Sequence, residues 1–164
     1  MSTEWLEESF ILLGLEGDSK EEVLSEMAGN LLAHGVVKES YIRAIIEREQ
    51  TFPTGLPTVS CSVAIPHTDI EHVNRKAISI GILKRPVEFG IMGEESATTP
   101  VEIVFMLAMD QKKSQLRLLT RLMQIIQDGR MLDALRHGES AAAVKALMND
   151  KLQPEEIKEV ESYD

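Results

Sequence analysis

At 164 residues the chain is one domain's length, enough to bury a core without cross-links, and its single cysteine, Cys61, excludes an internal disulfide. The net charge of −10 lies at the ends: residues 1–26 hold eight acids against Lys20, residues 151–164 hold five against two lysines, and 27–150 carry fourteen charges of each sign. That distribution excludes the basic face nucleic-acid binding needs. The absence of any run near about 20 apolar residues, with acids rather than bases at Glu4, Glu7 and Glu8, makes a cytoplasmic chain the expectation.

Met1 to Leu15 reads as a short strand or an arm, because Phe10 to Leu13 is apolar between acids. Ser19-Lys20-Glu21-Glu22 is a capping-box pattern, and Val23, Leu24, Met27, Leu31 and Leu32 form the apolar stripe of a helix that Gly35 stops. A second helix is expected from Glu39 to Gln50, burying Tyr41, Ile42, Ile45 and Ile46, with Pro53 at its end. The turn-rich stretch Phe52 to Thr58 leads into the apolar run Val63 to Pro66, directly followed by His67. Ala77 to Leu83 alternates as a strand with Ile78, Ile80 and Ile82 on one face, and Val87 to Phe89 reads as a small separate strand. Val101 to Met109 is nearly all apolar, the pattern of a central strand covered on both faces. Leu116, Leu119, Leu122, Met123 and Ile126 predict a helix over Ser114–Gln127, with Gly129 beyond its end and shorter helices near Met131–Arg136 and Ser140–Met148. Helices on both sides of the strands in sequence imply an α/β class: a mixed sheet of about five strands flanked by helices on both faces.

Among side chains able to do chemistry, the four histidines differ. His34 and His137 each precede a glycine at an expected helix end, where imidazole complements the C-terminal dipole. His72 lies in the polar stretch Glu71-His72-Val73-Asn74 and reads as a surface residue. His67 follows a proline where an apolar strand meets a polar loop, a place where sheet proteins put functional groups; residue evidence alone supports a structural and a functional role equally. His67, Asp69, Glu71 and His72 have no helical i,i+4 spacing, so a metal site, and with it a metal-dependent hydrolase using His67, Asp69 and His72, is the weaker alternative. No G-x-S-x-G elbow surrounds Ser60 or Ser62, and the glycines at 14, 17 and 29 make no phosphate loop. Arg48 falls at the margin of its helix's apolar stripe, able to snorkel to water or to present its planar fork to an anion.

In this order and spacing, Glu47-Arg48-Glu49, Pro53-Thr54-Gly55 and Val63-Ala64-Ile65-Pro66-His67-Thr68-Asp69 resemble the active-site region of phosphotransferase-system EIIA domains of the mannitol/fructose type. The resemblance extends through Ile80 to Leu83, Pro86 to Phe89, Val104 to Ala108 and the 115–122 helix, covering roughly residues 20–148. It implies a phosphocarrier domain over 20–150, between an acidic arm or strand at 1–19 and an acidic tail at 151–164. His67 would accept a phosphoryl group from the carrier HPr and pass it to a cysteine of EIIB, and thence to sugar entering through EIIC. Arg48 would steady the phosphate, with hydroxyls of Thr54, Thr58 and Thr68 as further donors, and neither metal nor cofactor would be needed. Mannitol-type members have a second histidine where this chain has Gln115. Galactitol-type members are similar to this chain there and in E-R-E-x-x-F-P-T-G, which points to galactitol or a related polyol. A regulatory, nitrogen-type EIIA would share the same site and remains the alternative. Leu56, Ile70 and Met92 are the expected apolar rim for docking partners.

Overall fold

The computed structural model describes residues 5–152. They form a five-stranded mixed sheet in the order β1-β4-β5-β3-β2, from β1 (Ile11–Leu15), β2 (Gly55–Leu56), β3 (Ser62–Ala64), β4 (Ala77–Gly90) and β5 (Thr98–Ala108). β1 runs parallel to β4, β4 antiparallel to β5, β5 parallel to β3, and β3 antiparallel to β2. Alternation along β4 and β5 assigns side chains to two separate cores. Ile78, Ile80, Ile82, Ile103, Phe105 and Leu107 face one side, while Val104, Met106 and Ala108 face the other. Both faces of β5 are therefore covered, which is why its sequence is apolar without a break from Ile103 to Ala108.

On one face lie α1 (Lys20–Ala33) and α2 (Ser40–Thr51), which contribute Val23, Leu24, Met27, Leu31, Tyr41 and Ile45. Ser19 Oγ accepts from the Glu22 N–H as the capping pattern requires, and the Glu22 carboxylate reaches back to the Asp18 N–H. The close approach of α1 explains Gly81: a Cβ there would lie 2.9 Å from Met27 Sδ and 3.0 Å from a Leu15 methyl. On the other face lie α3 (Lys112–Ile125), α4 (Gly129–Arg136) and α5 (Ala141–Leu152). The architecture is the α/β sandwich expected, and no helix among the described residues is long and apolar enough to cross a membrane. β1, within the 1–19 segment, is hydrogen-bonded into the sheet, and of the expected tail only Lys151 and Leu152 are described, as the end of α5.

Two local expectations are corrected. Val87 to Phe89 is no separate strand: it continues β4 past a register shift between Ile82 and Val87, where Lys84, Arg85 and Pro86 turn outward, and pairs with Thr99 to Val101. In α3 the buried stripe is Ser114, Leu118, Leu122 and Ile125, and Leu116 is 66% exposed. At 100° per residue Leu116 lies on the far side from Ser114 and Leu118, and a serine hidden among hydrophobes masked the true phase. Gly129 lies beyond the end of α3 as expected, and it also opens α4, which Asp128 caps by accepting from the Arg130 and Met131 N–H groups.

Candidate functional site

β3 and β5 run side by side in the same direction, and the bond from Leu107 N–H to the Pro66 carbonyl (3.0 Å) keeps the chain beside β5 after β3 ends. His67 thus emerges at the carboxyl end of a parallel pair, half-buried, between the buried Pro66 and Thr68. Tyr41 anchors α2 to the same place, its buried hydroxyl donating to the Leu107 carbonyl at 2.8 Å.

The His67 ring is held in one tautomer. Its Nδ1 lies 2.9 Å from the Ile65 carbonyl oxygen. A carbonyl can only accept, so Nδ1 carries the proton and Nε2 keeps its lone pair. Burial lowers the imidazole pKa below its ordinary value; the Ile65 bond opposes this, and the positive charge of Arg48 adds to the lowering. The ring is therefore neutral at pH 7, with a nucleophilic nitrogen near a guanidinium. Arg48 is half-buried on α2, and its guanidinium carbon lies 4.8 Å from the centre of the Phe52 ring, a stacking contact that orients the fork. Phe52 is itself 58% exposed.

The threonines separate by position. Thr54 is buried; its hydroxyl and its N–H both donate to the Glu49 carboxylate, at 2.9 and 2.7 Å, and its Oγ accepts from the Ile65 N–H at 3.0 Å. Thr58 donates to the Cys61 carbonyl and accepts from the Ser60 and Cys61 N–H groups, closing the 58–61 turn. The hydroxyl protons of both are thus directed to protein acceptors, not toward a phosphate. Thr68 is buried beside His67. Gln115 is half-buried in the first turn of α3, one short connection past β5; its Oε1 and the Ser114 Oγ are buried with no hydrogen-bond partner.

Sequence reasoning passed over Glu49. It lies four residues after Ile45 and eight after Tyr41, on the apolar stripe itself, and it is 1% exposed. A carboxylate in that phase was the available signal. Burial pushes it from its ordinary 4.5 up to about 7, against the lowering effect of the two Thr54 bonds and of Lys20.

The remaining histidines lie elsewhere. His34 and His137 cap α1 and α4, each Nδ1 within 2.9 Å of a carbonyl four residues back. His72 is half-buried, with Nδ1 2.8 Å from Ser40 Oγ. Among the described residues no three His, Cys, Asp or Glu side chains gather closely enough to hold a metal ion. Of the expected rim, Met92 is exposed while Leu56 and Ile70 are half-buried; Val59 and Leu116 are also exposed.

Residues 4–151 match the family model described as phosphoenolpyruvate-dependent sugar phosphotransferase system, EIIA 2. The galactitol-specific EIIA component of Escherichia coli (strain K12) is 29% identical over 126 residues, 77% of this chain and 83% of that protein. Multiphosphoryl transfer protein 2 of the same strain is 33% identical over 148 residues, which is 85% of this chain but 16% of that larger protein. Among solved structures, the complex of enzyme IIAMTL and phosphorylated enzyme IIBMTL from Escherichia coli has the same fold, with a TM-score of 0.71, 24% identity and coverage of 88% of this chain and 99% of that chain. The chain belongs to the EIIA type 2 family of the sugar phosphotransferase system, as a phosphotransferase component of the phosphohistidine-carrier kind.

Proposed function

We propose that Nε2 of His67 is the atom that carries the phosphoryl group, received from phospho-HPr and passed to a cysteine of a matching EIIB, and from there to a polyol of the galactitol class entering through EIIC. The observation that carries this reading is the Ile65 carbonyl on Nδ1, which leaves Nε2 as the free nucleophile. In the first transfer the Nε2 lone pair forms a bond to phosphorus while the donor's phosphorus–nitrogen bond breaks, and that electron pair returns to the donor imidazole. Positive charge develops on the His67 ring and is stabilised by the Nδ1–H bond to Ile65. Charge on the three equatorial oxygens is met by Arg48, whose stack on Phe52 leaves its N–H donors free to turn toward the phosphate. Thr68 and Gln115 are the remaining donors; Thr54 has a different task. The second transfer reverses the first, with a thiolate as acceptor.

The polyol class is supported by Gln115 in place of a second histidine and by the similarity to a galactitol-specific EIIA component. Docking would use the exposed Phe52, Met92 and Leu116 as apolar contacts, in encounters of modest area. The test is incubation of this protein with phospho-HPr and then with the EIIB of a galactitol system. His67→Ala should take up no label, and wild type should deliver its label to EIIB. Label persisting in His67→Ala would refute the assignment; label that no EIIB accepts would refute the transport role in favour of the regulatory one.

A further inference from the structure

We propose that Glu49 is a positioning residue for this site: acting through Thr54 and the backbone of Ile65, its carboxylate holds His67 in the tautomer that frees Nε2. The inference rests on the carrier role proposed for His67 and is carried by an unbroken line of hydrogen bonds. Glu49 Oε2 accepts from the Thr54 N–H at 2.7 Å, and Oε1 accepts from its hydroxyl at 2.9 Å. Thr54 Oγ, its proton so directed, accepts from the Ile65 N–H at 3.0 Å. The Ile65 carbonyl then accepts from His67 Nδ1 at 2.9 Å.

Each link needs the one before it. A carboxylate is an acceptor on both oxygens, so it receives two donors from one residue without conflict. An amide in its place would turn an NH₂ toward one Thr54 donor, and the hydroxyl would have to rotate its proton toward the Ile65 N–H. Ile65 is constrained from its other side as well. Pro66 restricts the residue before it to extended conformations, and the bond from Leu107 to Pro66 fixes the following peptide. The direction of the Ile65 carbonyl is thus set jointly by Thr54 and Pro66. Thr54 is itself clamped: a Cβ on Gly55 would lie 2.4 Å from the Gly90 carbonyl oxygen, and one on Gly90 would lie 2.9 Å from Pro53. Glycines at both positions let the Pro53-Thr54-Gly55 segment lie flush against the end of β4, so Thr54 has no slack to follow a displaced partner. Glu49 makes no contact with phosphate in this scheme; it acts only through Thr54.

Long-range ¹H–¹⁵N spectra of protein labelled in its histidine rings report the His67 tautomer directly. At pH 8 wild type should show a protonated Nδ1 and a bare Nε2. Glu49→Gln and Thr54→Val should shift the ring several-fold toward the Nε2–H form that free imidazole side chains prefer, while Thr54→Ser should restore the wild-type pattern. A wrong tautomer lowers kcat at a working histidine by up to about 10⁴-fold, and the partial shift here should lower it about tenfold with KM for phospho-HPr unchanged. An unaltered tautomer in both Glu49→Gln and Thr54→Val would overturn the proposal. If Glu49→Gln does not fold, the Thr54→Val and Thr54→Ser pair decides alone. The ring spectra need no phosphoryl donor, so a tautomer shift with no transfer even in wild type would support the relay and refute the carrier role instead.

Discussion

Replacing Glu49 by glutamine should remove a pH dependence from the protein's stability, by an amount that follows from burial. The folded state holds the Glu49 proton until about pH 7, whereas the unfolded chain releases it near 4.5. Between those values folding takes up a proton, so the stability contribution is fully present below pH 4.5 and is lost as pH rises through about 7. At about 1.4 kcal/mol per pH unit, the window amounts to roughly 3 kcal/mol. Urea unfolding of wild type and Glu49→Gln at intervals from pH 4 to 8 measures it as a difference, in which the other carboxylates largely cancel. His67 has a linkage of the opposite sign: its lowered pKa means the unfolded chain protonates first, so stability falls as pH drops below the ordinary 6.5. Wild type should therefore lose roughly 3 kcal/mol relative to Glu49→Gln between pH 4.5 and 7.5. A difference flat across that range, or one that grows in wild type's favour, would show that Glu49 is not a desolvated carboxylate.

Three further outcomes are expected. Arg48→Ala should leave the unfolding midpoint nearly unchanged and raise the barrier to phosphoryl transfer by about 2–4 kcal/mol, the usual loss for one charge-stabilising donor; single-turnover rates with phospho-HPr measure it. Gly55→Ala forces a methyl against the Gly90 carbonyl, a backbone atom that cannot swing aside, and should cost about 2 kcal/mol or more in urea unfolding. Leu118→Ala should cost about 2–5 kcal/mol by opening a cavity under α3, whereas Leu116→Ala, at an exposed position, should stay within about 0.5 kcal/mol.

Much of the fold could be read from spacing because long stretches of the large elements keep one period. The alternation of Ile78, Ile80 and Ile82, the capping pattern at Ser19 and the double-faced apolar run of β5 each need only local chemistry and burial. What escaped were phases and joints set by tertiary contact. Ser114 occupies a core position in α3, so hydrophobicity alone drew the stripe through Leu116. The continuity of β4 past Pro86 depends on pairing with Thr98 to Val101, which lies beyond any local window. At the site, the family resemblance pointed to His67 and Arg48 but did not say which acceptor holds the ring. That acceptor is a main-chain carbonyl two residues away, and although Pro66 marks Ile65 as extended, the proline alone does not say that the carbonyl turns to the ring. The Thr54 hydroxyl, expected to face a phosphate, instead meets Glu49 just before it at the end of α2 and the Ile65 N–H, the latter because β2 folds back against β3.

The most direct test of the central claim is the ³¹P and ¹⁵N spectrum of the protein after treatment with phospho-HPr. A single acid-labile phosphate bonded to Nε2 of His67, with Nδ1 still protonated, is the result the structure predicts. Phosphate on Nδ1 of that ring, or on His34, His72 or His137, would contradict it.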